Sequence, residues 1–447
     1  MLKTLKNAWK VTELKNKVLF TLLIVIIYRL GANVPVPFVD ANAFTIATGS
    51  IFQYMDLLAG GALSQATVFA LSVSPYITSS IVMQLLTIAI PAFERWSKDE
   101  AGKKKLQVIT RWVTMALALV TAFGYTKVLL SGALTFSKAD GFIYHVKFAT
   151  IVACYCAGAC IITWLAEKIN EHGIGNGISM ILFANIVSRV PQLAIRLWGL
   201  VFSNGGFNGF KIWGLVIALV VIVLMVAIVA LIVCVTNSER RIPIQYAKRV
   251  VGRKMYGGQG TNLPLKVNMT GVMPIIFASS IATLPATIAA FFPNSKVLTA
   301  ISNYLNPNSW IYVFLSVILI IAFSYFYVMI SFNPVEVSNN VRDNGGSIPG
   351  IRPGKPTADY IKKILNRVTA IGAIFLCFVS CFPTVVTIIA GYFMPAASGY
   401  FSADTLALIA NFAFGGTSIL IVIGVVLETF HQLEAEMTMR NYKGFLD

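Results

Sequence analysis

Ten apolar stretches run through this chain of 447 residues, and no Asp or Glu falls in the interior of any of them. A carboxylate at mid-membrane is expensive, and where one occurs it marks a proton or ion path. Ten spans without such groups point to a passive conduit or scaffold. The stretches are 18–37, 72–93, 112–134, 148–166, 178–200, 213–236, 269–292, 310–331, 368–391 and 405–428. Each is close to the roughly 20 residues that cross the hydrocarbon core as a helix. The stretch 178–200 is the least clean, since it carries Arg189, Pro191 and Arg196. Composition agrees: only 12% of the residues are charged, against about 25% in soluble domains. The chain therefore reads as an all-α polytopic membrane protein.

Orientation follows from the basic residues, which concentrate on the cytoplasmic side. Of the 35 Lys and Arg, 27 lie in the N-terminal tail, the even-numbered connections and the C-terminal tail. Four (Lys138, Lys147, Lys211, Lys296) lie on the opposite side, and four (Arg29, Lys127, Arg189, Arg196) lie within spans. Both termini are thus expected in the cytoplasm. The four span residues are read as snorkelling or lining a wet interior. Six of the seven tryptophans (Trp96, Trp112, Trp164, Trp198, Trp213 and Trp310) fall at or near span ends, where amphipathic rings sit at the interface.

Residues 1–17 place five lysines among Leu2, Leu5, Trp9 and Leu14, the pattern of an in-plane amphipathic helix. No small-residue cleavage site follows the first span, so the segment is expected to be retained. Ten spans divide into five and five. Halves with an odd number of spans must lie in opposite orientations, as in an inverted repeat. The expected organisation is 1–17 cytoplasmic, 18–200 the first half, 201–428 the second half, and 429–447 a cytoplasmic tail. The second half carries basic inner loops 237–268 and 332–367, which suit docking of a negatively charged partner.

Segment 38–71 holds a moderately apolar stretch that, together with the span 72–93, exceeds one crossing but falls short of two, and Gly60-Gly61 breaks its middle. By pattern alone it is either a short re-entrant helix, held where protein surrounds it, or an external loop helix. The six cysteines lie in spans, and no His accompanies the pairs Cys156/Cys160 and Cys377/Cys381; they read as apolar packing rather than metal ligands. GIGNG at 173–177 follows a membrane span and lacks the Lys-Ser/Thr of a phosphate loop. His145, His172 and His431 are scattered. No catalytic residue or cofactor is expected.

Several long motifs occur in order: IYRLGANVPVPFVD (27–40), DLLAGGALSQATVFALSVSPYITSSIVMQLL (56–86), EKINEHGIGNGISMILFANIV (167–187), RRIPIQYAKRVVGR (240–253), LPLKVNMTGVMPIIFASSI (263–281), GSIPGIRPGKPTADYIKKILNRVT (346–369) and FGGTSILIV (414–422). In this order the chain resembles the SecY family of protein-conducting channels over its whole length. The resemblance implies two five-helix halves with inverted pseudosymmetry around an hourglass pore. It implies a multi-pass protein of the bacterial plasma membrane that passes unfolded polypeptides across and releases membrane segments sideways into lipid. Motif matching places the pore ring at Val73, Ile77, Leu182, Ile276 and Ile421, and the plug at about 55–70 with Gly60 and Gly61. The lateral gate falls on the facing spans 72–93 and 269–292, with Ser79, Gln84, Asn268, Ser279 and Thr283. Partner binding falls on Arg240, Arg241, Lys248, Arg249 and Arg352. Partners implied are a small single-span clamp subunit (SecE-like), an accessory subunit (SecG-like), a motor ATPase (SecA-like), the ribosome with its RNA, signal peptides and nascent chains, and membrane lipid. Branched aliphatics suit the ring, because they dewet a narrow constriction. The rival readings are an inverted-repeat secondary transporter of small solutes and an intramembrane enzyme; the latter lacks a nucleophile–base pair within the spans.

Overall fold

A computed structural model describes residues 9–40, 56, 59–128, 142–201, 212–246, 249–251, 254–256, 260–291, 304, 309–393 and 415–443. Residues 129–134, 292 and 405–414 of the expected spans, and residues 55, 57 and 58 of the expected plug, lie outside the described residues. The first half is built from α1 (Thr12–Gly31), α2 (Ser74–Ala89), α3 (Pro91–Lys98), α4 (Glu100–Val128), α5 (Phe142–His172), α6 (Gly177–Val187) and α7 (Val190–Val201). The second half comprises α8 (Ile212–Asn237), α9 (Met273–Phe291), α10 (Trp310–Ser331), α11 (Pro334–Asp343), α12 (Lys355–Phe393) and α13 (Gly415–Lys443).

All ten expected spans coincide with helices among the described residues. Six of these helices are long and apolar enough to cross a membrane by composition alone, and the bent α2–α3 pair makes a seventh. The others depart for local reasons. α1 carries Glu13, Lys15, Lys17 and Arg29. The fifth span breaks at Ser188–Arg189 into α6 and α7. The second span ends earlier than expected, because the chain turns by 105° between α2 and α3. The cause is Pro91, which disfavours helical backbone at Ile90; Ile90 is extended at φ −112°, ψ 113°.

Of the N-terminal segment, residues 12–17 form the first turns of α1. Leu14 is buried against Ile174 and Leu433, and Lys17 pairs with Glu436 at 2.8 Å. The start of α1 is therefore clasped to the end of α13. Residues 1–8 lie outside the described residues.

Two large apolar clusters occur among the described residues. One joins α1, α2, α4, α5 and α6 through residues such as Tyr28, Ile151, Tyr155, Ile162 and Ile181, and also takes in Phe277 of α9 and Ile421 and Val425 of α13. The other joins α8, α9, α10, α12 and α13 through Ile232, Ile275, Ile320, Leu376 and Leu420. The halves meet where α2 packs on α9 and where α13 packs on α6.

The two basic inner loops, treated separately by the sequence, form one module. β1 (Glu239–Tyr246) pairs antiparallel with β4 (Gly260–Lys266), and β5 (Gly346–Ser347) adds to the other edge of β1. β2 (Arg249–Val251) and β3 (Lys254–Tyr256) form a separate hairpin. Ile242, Leu265, Ile348 and Ile361 make a shared buried core. Burial alternates along β1, as a sheet with one covered face requires.

Candidate protein-conducting pore

The five expected ring residues come from different parts of the chain and fall in or against one large apolar cluster. Val73 precedes α2, Ile77 is on α2, Leu182 on α6, Ile276 on α9 and Ile421 on α13. Val73, Ile77, Leu182 and Ile421 are all buried in one apolar cluster, and Ile276 packs against it from a half-buried position. α6 is aimed by its N-terminus: the Asn176 side chain accepts from the backbone N–H of Ile178 and Ser179, and Asn170 accepts from Gly177 N–H at 2.7 Å. A Cβ at Gly177 would lie 2.0 Å from the Ala166 carbonyl oxygen. The glycine-rich 173–177 motif is therefore a tight turn that packs α6 on α5.

On one side of the cluster lies a cavity of about 360 Å³, bordered by Ile276, Ile421, Asn268, Tyr327 and Glu428. Lys266 of β4 also borders it, so the cavity opens toward the basic module. Also packed into the cluster are Ala59, Ala62, Leu63, Ala66 and Phe69. These belong to the segment expected to be a re-entrant helix. Asp56 is helical and residues 59–73 run as successive turns with a bridge at Thr67, while residues 41–55, 57 and 58 lie outside the described residues. Gly60 and Gly61 take φ +68° and +90°, a left-handed backbone that glycine adopts without a Cβ clash. Ala66 and Ser72 are also left-handed, at φ +48° and +50°. Such residues cost roughly 1–2 kcal/mol each and persist only where surroundings hold them.

The surroundings are extensive. Val36 N–H donates to Ala66 O (3.1 Å), and Val68 N–H donates to Val34 O (2.9 Å). Tyr125 OH donates to Leu63 O at 2.7 Å. Asp56, 6% exposed, accepts from Ser64 N–H at 2.8 Å and pairs with Arg189. Of the two expectations for Arg189, snorkelling or lining the interior, the structure shows an inward contact: it reaches Asp56 of the segment leading into α2. Sequence reasoning missed this network, because Asp56 and Arg189 are 133 positions apart and no local pattern links them.

The expected gate residues divide. α2 and α9 are in contact, so the two spans do form a seam between the halves. Ser279 lies on α9 with its hydroxyl bonded to Ile276 O, Thr283 is also on α9, and buried Asn268 accepts from Thr270 at 3.3 Å beside the cavity. Two assignments need correction. Ser79 is fully buried and donates to Thr110 O of α4 at 2.9 Å, so it ties α2 to α4 rather than to α9. Gln84 bonds Ser80 at 3.4 Å and lines a groove among α2, α4 and α5. Helical rotation turns these positions to the other side of α2.

On the inner module, Arg240 and Arg241 are exposed on β1, and Arg241 pairs with Glu239 at 2.7 Å. Arg249 is in β2; Lys248 lies outside the described residues. Arg352 is exposed on a turn between left-handed Gly350 (φ +80°) and Gly354 (φ +100°). The turn is anchored beneath by buried Ile348 and by Thr357, whose hydroxyl donates to Arg352 O at 2.9 Å.

The family model for SecY matches residues 67–430. The chain belongs to the SecY family. Relatives include the protein translocase subunit SecY of Streptomyces coelicolor, 42% identical over 462 residues, and that of Bacillus subtilis, 39% identical over 451 residues. Both alignments cover the full length of both chains. Solved structures share the fold. A protein-conducting channel aligns with TM-score 0.62 at 16% identity, covering 95% of this chain and 92% of its own. Sec61 in a canine ribosome–channel complex from the endoplasmic reticulum aligns with TM-score 0.58 at 15% identity. SecY membership makes this a ten-span, multi-pass membrane protein and sets the small-solute transporter reading aside.

Proposed function

We propose that this chain is the central conduit of a bacterial plasma-membrane protein translocase, with both termini in the cytoplasm. The observation that carries this reading is the convergence of Val73, Ile77, Leu182, Ile276 and Ile421 in one apolar cluster. That cluster has a cavity open toward the basic module on one side and the turn segment 59–73 packed into it. An unfolded chain entering the cavity meets a waist of aliphatics that form no hydrogen bonds, so any side chain is tolerated. Ions are rejected because a narrow apolar constriction dewets. Segment 56–72 acts as the plug. The α2–α9 seam, with Ser279 on α9 and Asn268 just before it, is the lateral exit for apolar segments; weak interhelical polar contacts of roughly 0.6 kcal/mol each let it part.

The chain supplies no chemistry of its own. Work comes from a motor ATPase or a translating ribosome docked on the basic module, where Arg240, Arg241, Lys248, Arg249 and Arg352 face phosphate or carboxylate groups. Guanidinium groups suit that recognition. A small single-span clamp subunit and an accessory subunit complete the assembly. The +17 formal charge, with its inner-side bias, supports both the orientation and the docking face.

The test is reconstitution in vesicles with the clamp subunit, motor ATPase, ATP and an unfolded signal-bearing polypeptide. Protease-protected product that disappears with Arg352→Glu is expected. Absence of protection with the unaltered chain, together with saturable uptake of a small solute, overturns the reading.

A further inference from the structure

Two arginines and one carboxylate meet at the glycine turn of the plug segment. Arg189, at the α6–α7 break, places Nη2 on both the Asp56 carboxylate and the Asp56 carbonyl oxygen, the latter at 3.1 Å. A Cβ built on Gly61 would lie 3.7 Å from the same Arg189 Nη2. Arg29, in the last turn of α1, approaches from behind: its Nη1 would be 2.9 Å from a Cβ on Gly60. Arg29 Nη1 and Arg189 Nε are buried with no hydrogen-bond partner among the described residues. Asn185 fixes the floor, accepting from Tyr28 OH at 2.8 Å and donating to Ser72 Oγ at 3.1 Å. Arg189, at a helix break, thus pairs with the one acid here, Asp56, while Arg29 of α1 closes on the adjacent Gly60, and the acid is carried by the segment that must move.

We propose that Asp56 and Arg189, backed by Arg29 against Gly60, form a charge latch that positions the plug in its seated state. The inference rests on the channel reading for what the seated state does. Asp56 is the anion in contact with Arg189, so its loss leaves the partly buried Arg189 guanidinium uncompensated, with the half-buried Arg29 close by, and uncompensated charge away from water is costly. The strained backbone at Ala66 and Ser72 favours release once the latch is gone. Asp56 and Arg189 touch no translocating chain in this arrangement; they act by placing residues 59–73 under the aliphatic ring.

The experiment is halide influx into vesicles holding the full chain with its clamp subunit, without motor or ATP, read by a quenched dye. Asp56→Asn is nearly isosteric, so a steric role predicts no change; the latch predicts resting leak raised on the order of tenfold. Arg189→Gln leaks, whereas Arg189→Lys, which keeps the charge, leaks far less. The double neutral variant leaks less than the product of the two single effects, as coupled residues require. ATP-driven translocation by the same vesicles shows that each variant is folded. Unchanged leak in Asp56→Asn, equal leak in Arg189→Lys and Arg189→Gln, or strictly multiplicative effects overturn the latch. Loss of translocation by the unaltered chain would instead strike the channel reading and leave the leak comparison to stand.

Discussion

Gly158, in the middle of α5, offers a prediction in which two physical effects have opposite signs. The helix is longer than the bilayer needs, and Ala at an exposed helix interior is better than Gly by about 1 kcal/mol. Packing says the reverse. A Cβ at position 158 would sit 2.0 Å from the Val68 carbonyl oxygen and 2.9 Å from its carbonyl carbon. Comfortable C···O contact begins near ~3.3 Å, so the segment must retreat by roughly 1.3 Å. Retreat is resisted, because Val68 N–H is bonded to Val34 O at 2.9 Å and the adjoining Ala66 O accepts from Val36 N–H. Overpacking of this kind costs typically ~1–3 kcal/mol. Borne by the plug's seating, that range shifts the seated-to-released ratio by roughly 5- to 150-fold. Gly158→Ala should therefore raise resting halide leak by about that range and lower the thermal midpoint of the purified protein. Gly199→Ala is the control, since nothing lies within 4 Å of its Cβ position; it should be neutral or slightly stabilising, with no leak. A Gly158→Ala protein that is as tight and as stable as the unaltered chain would refute the close-approach argument.

Replacing Ile276 or Ile421 by Asn wets the constriction, and vesicle conductance should rise while the fold is retained, most clearly for half-buried Ile276. Tyr125→Phe removes the donor to buried Leu63 O and should cost about 1–3 kcal/mol, read as increased leak with translocation preserved. Gly350→Ala forces a side chain into φ +80° at roughly 1–2 kcal/mol. It should disturb the Arg352 tip and slow ATP-driven transport without any resting leak, a separation measured by running both assays on one vesicle batch.

Much of the molecule is legible in sequence because the bilayer imposes local rules. Apolar length sets the spans, basic residues set their orientation, and Pro91 stops α2 through its effect on the preceding residue. The ring residues were recoverable only through their motifs; as lone aliphatics on apolar helices they carry no signal. Gly60-Gly61 marks a break, and the described residues from 59 onward run as turns whose backbone is satisfied by Val34, Val36 and Tyr125 from elsewhere in the chain.

By itself, then, the sequence determined the apolar spans and the absence of acids in their interiors, and it carries the basic-residue bias on which the proposed orientation rests; these are patterns no longer than a span and its flanks. Only the tertiary structure decided that the two basic loops share one sheet and core. It alone turned Ser79 toward α4 and brought Asp56 to Arg189 across 133 positions. Those outcomes depend on which helix faces are buried against which neighbours. In a chain apolar nearly all round, hydrophobic periodicity does not mark the inner face, so packing geometry and long-range polar pairs make that choice.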